Sequence, residues 1–159
     1  ADLLGQGEFN ATDDVLTVQR LIGDTRSYSA FTFGYNRPAL VKQTQQMLCA
    51  IAYLRDANPE VRLSIVAEGI DCISAVASAA IAGDTVDSVE LSTGGLRLSD
   101  AEKYGDHLFL PGAAKYFDLP GLASLRAPHP MKIREESDQS MDLVKRVYAA
   151  AGASEALDF

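Results

Sequence analysis

The sequence predicts an α/β protein, with a mostly parallel sheet inside a three-layer α/β/α arrangement. Short apolar stretches suited to strands, "LSIVA" (63–67), "VDSVEL" (86–91) and "MKIRE" (131–135), alternate with helical segments along the chain. The segment that follows the first of them, residues 70–82, is rich in alanine and serine, as suits a helix lying close on a sheet. Strands that alternate with helices favour parallel pairing through right-handed connections.

The first predicted helix spans residues 37–55. Asn36 or a residue beside it is expected to cap this helix, with Pro38 in the first turn. Apolar residues then keep helical spacing as far as Arg55.

A strand, a sharp turn and a second helix are predicted next. "VRLSIVA" (61–67) alternates at first and then becomes fully apolar, which is typical of a parallel strand covered on both faces. The turn falls at "AEGID" (67–71), where Gly69 lacks a Cβ and suits a tight strand-to-helix junction. The helix over 70–82 is expected to end at Gly83.

Further strands are predicted at 86–91 and 131–135, separated by a long irregular segment over 92–128. A helix over 139–151 is expected to end at Gly152, and "EALDF" begins a last strand. The start, "ADLLGQGEF", is interpreted as a strand end that runs into an irregular stretch over 10–35.

Composition limits the classes of partner. The chain of 159 residues suggests one domain, and a net charge of -8 disfavours nucleic acid and anionic membrane surfaces. No stretch is long and apolar enough to span a bilayer, and no signal peptide is visible at the start. We expect a soluble protein, but the sequence does not determine its cellular compartment. A parent chain with a signal peptide would place it in the periplasm or outside the cell. Cys49 and Cys72 are interpreted as buried helical thiols.

Four patterns could carry chemistry, and each has a plainer structural interpretation. Carboxylates suit Mg²⁺ or Ca²⁺, but the spacing of the candidates is not diagnostic; these are Glu68, Asp71, Glu135 and Asp138. "STGG" (92–95) could cradle a phosphate, yet it lacks a P-loop lysine and is more typical of a loop. His107 could act as a base. Aromatic residues could form a sugar platform or pack a loop on the core; these are Tyr28, Phe31, Phe33 and Tyr35. We predict no cofactor and no metal.

Four stretches in order resemble the C-terminal two-thirds of an α/β-hydrolase domain, nearest to the acetyl-xylan-esterase and dienelactone-hydrolase-like branch. "DLLGQGEF" resembles a D-x-x-G-x-G-x-S loop, and "FGYNRPALVKQTQQMLCAIAYLRD" resembles the helix before the nucleophile elbow. "VRLSIVAEGIDCISAVASAA" resembles the elbow unit itself. "AKYFDLPGLASLRAPHPMKI" resembles the entry to the strand that carries the catalytic acid, with His129 in place of an arginine.

The resemblance implies a position for each catalytic group. Gly69 corresponds to the nucleophile, with Glu68 or Ile70 as the alternatives one residue away, and none of these is a serine or cysteine. Glu68 is itself a weak candidate for a base, as is His107. The acid corresponds to one residue of a set left open: Glu135, Glu136 or Asp138.

The resemblance also implies an incomplete α/β-hydrolase fold, so we expect residues 1–159 to be a single partial domain of a larger polypeptide. The family's histidine follows the last strand, and its oxyanion-hole strand would lie beside "LSIVA". Partners would be the remainder of the polypeptide or another subunit, and a carbohydrate ester. Two functions remain: a catalytically degenerate hydrolase-like domain, or an active esterase that takes its nucleophile, histidine or oxyanion strand from other segments.

Overall fold

The computed structural model describes residues 2–6, 32–103 and 105–159. In these ranges the helices and strands alternate, in the order α1 (Ala39–Ala57), β1 (Ser64–Glu68), α2 (Asp71–Ala82), β2 (Ser88–Ser92), α3 (Asp118–Ser124), β3 (Met131–Arg134), α4 (Asp142–Ala150) and β4 (Leu157–Asp158). The strands form one parallel sheet in the order β1-β2-β3-β4. The α/β class with a parallel sheet is thus confirmed, and the arrangement is consistent with a three-layer α/β/α fold.

The described helices pack beside one another in a row. Helix α1 contacts α2, α2 contacts α3, and α3 contacts α4. Each connection from β1 onward moves to the next strand in the same direction, so right-handed crossovers place α2, α3 and α4 on the same face of the sheet. This face holds the core, formed with the inward residues of the strands: Ile65, Ala67, Val89, Leu91, Met131 and Ile133.

The opposite face of the sheet is polar. Arg134 Nε donates to Glu90 Oε1 over 2.6 Å, Lys132 pairs with Asp158, and the hydroxyl groups of Ser64 and Ser88 lie 2.8 Å apart. Val66 is the exception, with 71% of its surface exposed. The expectation that β1 is buried on both faces is therefore wrong at Val66, because successive side chains of a strand alternate between faces and the helices that the structure describes cover only one face.

Most element boundaries lie within three residues of those predicted, and one helix was not predicted. Helix α3 occupies part of the segment expected to be irregular; its sequence "DLPGLAS" contains Pro120 and Gly121, which usually interrupt helices. Pro120 lies in the first turn, where proline is tolerated. A Cβ at Gly121 would collide with the carbonyl oxygen of Tyr116, so the close contact with the preceding turn requires glycine.

The predicted N-cap and the predicted start differ in detail from the structure. Pro38 occupies the N-cap position of α1, and the Asn36 amide instead donates to the Thr32 carbonyl over 2.9 Å. Residues 2–6 contain a turn closed by a hydrogen bond from Gln6 N to Leu3 O rather than the end of a strand. The irregular stretch predicted over 10–35 falls mostly outside the described residues.

Gly83 ends α2 as predicted, and the buried side chain of Arg126 holds this end in place. Its Nη1 donates to the carbonyls of Ala79 (3.0 Å) and Gly83 (2.8 Å), and its Nη2 donates to Val86 (2.5 Å). Burial lowers the pKa of Arg126. The cation lies at the negative end of the helix dipole and ties α2 to the start of β2.

Both cysteines are free thiols on helices, but only Cys72 is buried. Cys49 is exposed on α1, because it falls on the side of that helix away from the buried Leu40 and Ile51. Among the residues that the structure describes, no helix has the length and apolar character needed to cross a membrane.

Candidate active site at the carboxyl end of the sheet

Gly69 lies at the turn between β1 and α2, as predicted. Its φ is +55°, in the left-handed region that side chains disfavour. Its N–H donates to the Ser92 carbonyl over 2.8 Å, which fixes the turn against the end of β2. A Cβ built at Gly69 would meet no atom within 4 Å. A side chain at this position would therefore project into open space at the carboxyl end of the sheet.

Glu135 lies beside this turn through Ser92. Its Oε2 accepts hydrogen bonds from Ser92 Oγ (2.7 Å) and from the backbone N–H of Gly94 (3.2 Å). Glu135 directly follows β3 and has a φ of +63°, which is uncommon for a residue with a Cβ. Ser92, at the end of β2, thus connects the turn at Gly69 to the acid candidate Glu135.

Glu136 points away from solvent and is fully engaged by protein groups. Arg97 binds both of its oxygens, Nη1 to Oε1 over 2.7 Å and Nη2 to Oε2 over 2.6 Å. Thr93 Oγ1 and Ser140 Oγ add hydrogen bonds of 2.6 and 2.8 Å. Burial raises the pKa of Glu136, but the hydrogen bonds from Arg97, Thr93 and Ser140 outweigh it and hold the pKa below its ordinary value. The Glu136 carboxylate is therefore ionised, its charge is balanced by Arg97, and its role is structural.

Asp138 and Glu68 are exposed carboxylates. Asp138 pairs with Lys145 Nζ over 2.8 Å, and this cation lowers the pKa of the Asp138 carboxyl. Glu68 closes β1 directly before Gly69. Of the acid candidates, Glu135 alone shares a hydrogen-bonded group with the turn at Gly69, which is Ser92.

The two histidines lie on separate segments outside the strands and helices. His107 is half-buried on the segment between β2 and α3, with Nδ1 3.3 Å from Asp106 Oδ1. His129 precedes β3 at the amino end of the sheet, with Nδ1 3.4 Å from Asp84 Oδ1. In a parallel sheet the amino ends lie opposite the carboxyl ends, so His129 is on the far side from Gly69.

The nearby sulfur and hydroxyl groups are poor nucleophiles. Cys72 is buried in α2, where its Sγ donates to the carbonyls of Ala67 (3.3 Å) and Ser92 (3.4 Å). Burial raises the pKa of the Cys72 thiol to about 11, so little thiolate forms near neutral pH. Ser74 is buried on the same helix, and its Oγ faces the Asp71 carbonyl.

The glycine-rich turn after β2 uses its amides internally. Gly94 N–H donates to Glu135, and Gly95 N–H donates to Thr93 Oγ1 over 3.2 Å. Phosphate would have to displace these bonds, so the loop interpretation of "STGG" fits better. Within the described ranges, no group of three His, Cys, Asp or Glu side chains is placed to hold a metal ion.

Sequence reasoning missed Arg97 and Thr93, which bind Glu136 from a separate segment. The segment "TGGLR" (93–97) follows a strand and contains two glycines, which indicate a tight turn. Nothing in the segment indicates which carboxylate Arg97 binds. Of the aromatic candidates, Phe33 stacks on Phe109 with ring centroids 5.3 Å apart and Tyr35 is exposed, while Tyr28 and Phe31 lie outside the described residues.

Comparison of the chain with protein-family models, with curated proteins and with solved structures gave no match. The site is therefore interpreted from its own geometry. It presents a turn with an open apex, the exposed acids Glu68 and Glu135 beside it, and a hydroxyl group on Ser92 that bonds to Glu135.

Proposed function

We propose that the chain is an α/β-hydrolase-like domain derived from a carbohydrate or carboxyl esterase and that it is catalytically degenerate. The observation that carries this proposal is the turn at Gly69. A left-handed residue between a parallel strand and a helix, with open space beyond its Cα, is the geometry of a nucleophile elbow. A glycine there offers no oxygen or sulfur to attack an ester.

The remaining groups support the same proposal. Nucleophilic hydrolysis needs a nucleophile, a base and an oxyanion hole in contact. Glu135 contacts Ser92 and a backbone amide, whereas His129 lies at the opposite end of the sheet. Glu136 is neutralised by Arg97 and is not free to orient a base.

The proposed partners are the remainder of a larger polypeptide or another subunit, together with a carbohydrate ester. Strand β1 pairs only with β2 within the described residues, so its other edge offers unpaired backbone groups. The exposed Val66 lies on that strand. An added strand would pair this edge and place its own side chains next to the valine on the same face of the sheet.

Hydrolysis of acetyl esters tests the proposal. The purified chain should release p-nitrophenol from p-nitrophenyl acetate no faster than buffer does, and it should not label with a serine-directed fluorophosphonate. An acetyl esterase assayed in parallel controls for the reagents. Stoichiometric labelling of a serine, with loss of labelling in a Ser92→Ala or Ser74→Ala variant, would contradict the degenerate interpretation.

A thiol probe tests whether position 69 is an open apex. In a Cys49→Ser background, a Gly69→Cys variant should react with a thiol reagent in the folded state, because its Cβ meets no neighbour. The Cys49→Ser protein alone is the matched control, since its one remaining thiol, Cys72, is buried. Protection of the introduced thiol in the folded variant would show that the turn is not an elbow.

A further inference from the structure

Two neighbouring aromatic side chains are exposed in the turn that leads into α3. Tyr116 and Phe117 have 67% and 68% of their surfaces accessible to solvent. Large apolar side chains are ordinarily buried, and an exposed pair of rings is a feature of binding surfaces.

The backbone that presents these rings is in a disfavoured conformation. Phe117 has a φ of +67°, and Asp118 follows it with a φ of +58°. Left-handed conformations are uncommon for residues with a Cβ, and for a bulky residue they are genuine outliers. Glycine would occupy the position of Phe117 without strain. A phenylalanine in this strained conformation points to a use for its side chain, since strained residues cluster at functional sites.

Several hydrogen bonds hold this turn in place. The Asp118 carboxylate accepts from the backbone N–H groups of Leu98 (2.7 Å), Ser99 (2.8 Å) and Leu119 (2.6 Å). Burial raises the pKa of Asp118, but these backbone bonds outweigh it and lower the pKa overall. The Phe117 carbonyl accepts from Gly121 N–H over 3.0 Å. The rings are therefore held on a rigid base.

The turn lies on the same side of the sheet as the candidate active site. Asp118 binds Leu98 and Ser99, which directly follow Arg97, and Arg97 binds Glu136 at the end of β3. Ligands of open parallel α/β sheets bind beyond the carboxyl ends of the strands. Tyr116 and Phe117 thus lie at the carboxyl edge of the sheet, on the same side as the turn at Gly69.

We propose that Tyr116 and Phe117 form a stacking platform for a neutral sugar ring. A pyranose has an apolar face of C–H groups that packs on the electron-rich face of an aromatic ring. Nucleic-acid bases also stack on aromatic residues, but in positively charged grooves, and this chain carries a net charge of -8. The Lys115 ammonium lies over one face of the Tyr116 ring, 5.5 Å from its centroid, so the sugar would pack on the other face of Tyr116 and on Phe117. Two rings are too small an area for a stable protein interface, which buries about 1,200–2,000 Å². The choice of a carbohydrate rests on the proposed function, whereas the position of the platform rests on the turn.

Affinity gel electrophoresis in neutral polysaccharides tests the platform. The folded chain would be run in native gels that contain xylan, acetylated xylan, mannan or hydroxyethyl cellulose, with a gel lacking polysaccharide as the reference. Four variants would be compared: Phe117→Ala, Phe117→Gly, Tyr116→Ala and, as the matched control, Tyr53→Ala. Tyr53 is equally exposed, at 72%, but lies on α1.

At least one polysaccharide should retard the wild-type chain and the Tyr53→Ala variant. Phe117→Ala and Tyr116→Ala should each weaken binding about tenfold, the effect of losing one aromatic contact. Phe117→Gly should weaken binding equally while keeping or raising the melting temperature, because glycine relieves the left-handed strain. A purely structural role for Phe117 would instead lower the melting temperature of Phe117→Gly.

The results separate this inference from the proposed function. If none of the four polysaccharides retards the wild-type chain, or if Phe117→Gly binds as well as the wild type, the platform is refuted. Neither result would bear on the proposal of a catalytically degenerate hydrolase-like domain. Sugar binding that depends on Phe117, together with ester hydrolysis, would support the platform and refute the degenerate interpretation.

Discussion

Replacing Arg97 with methionine should destabilise the fold more than replacing its partner Glu136 with glutamine. The two side chains form a bidentate ion pair that joins the loop after β2 to the end of β3. Their environments differ, because 2% of the Glu136 side chain is exposed against 22% for Arg97. Each replacement therefore leaves a different group behind.

The expected magnitudes follow from what remains. Arg97→Met leaves a buried carboxylate without its cation, and removal of one partner from a buried pair costs about 3–5 kcal/mol. We expect about 3 kcal/mol, since the hydroxyl groups of Thr93 and Ser140 remain to bind Glu136. Glu136→Gln leaves a guanidinium that can reach water, so the loss should be about 1.5–2 kcal/mol, the lower end of the range for a hydrogen bond to a charged group.

Equilibrium unfolding in urea at pH 7 and at one fixed protein concentration measures both changes. A double variant, Arg97→Met with Glu136→Leu, should lose less stability than Arg97→Met alone, because no buried charge is left unpaired. Asp138→Asn removes the exposed pair with Lys145 and should give no measurable change. If Arg97→Met were no more destabilising than Glu136→Gln, the assignment of Glu136 as a buried anion that depends on Arg97 would be refuted.

Three further outcomes are expected. The pKa of Glu136 in the folded protein lies below its ordinary value of 4.5. The stability that this carboxylate contributes is therefore complete above about pH 4.5 and is lost as the pH falls through the folded pKa. Urea midpoints measured between about pH 3 and 6 should show this loss in the wild type and a smaller loss in Glu136→Gln. Gly69→Ala should destabilise by about 1 kcal/mol in the same assay through backbone strain alone, and a neutral or stabilising change would contradict the left-handed turn. Sedimentation should show that the chain self-associates through the edge of β1 that has no partner strand among the described residues, with less association in Val66→Glu; a stable, cooperative monomer would refute this expectation.

The local elements could be predicted because they follow from periodicity and from single punctuating residues. The spacing of apolar residues in α1, the alternation in β2 and the glycines at 69 and 83 each act within a few neighbours. The position of Gly69 at the turn was predictable for the same reason. A sharp junction between a strand and a helix needs a residue without a Cβ.

The contacts that define the site could not be predicted, because they join distant segments. Arg97 meets Glu136 across 39 positions, and Asp118 meets Leu98 across 20. The exposure of Val66 was also missed, since the short apolar run over residues 65–67 does not reveal whether one or both faces are covered. The ion pairs that β2 and β3 form on the same face as Val66 show that this face of the sheet is solvated.

The strand order of the sheet, identical to the order along the chain, has a consequence for how the protein is made. Among the described strands, each one after β1 pairs with the strand synthesised immediately before it, so none of these strands must be inserted between two that are already joined. Pairings between chain neighbours close short loops, and such topologies fold faster than those that depend on remote contacts. The sheet can therefore assemble as the polypeptide leaves the ribosome, each βα unit adding to the last, so that it grows in one direction, from β1 towards β4.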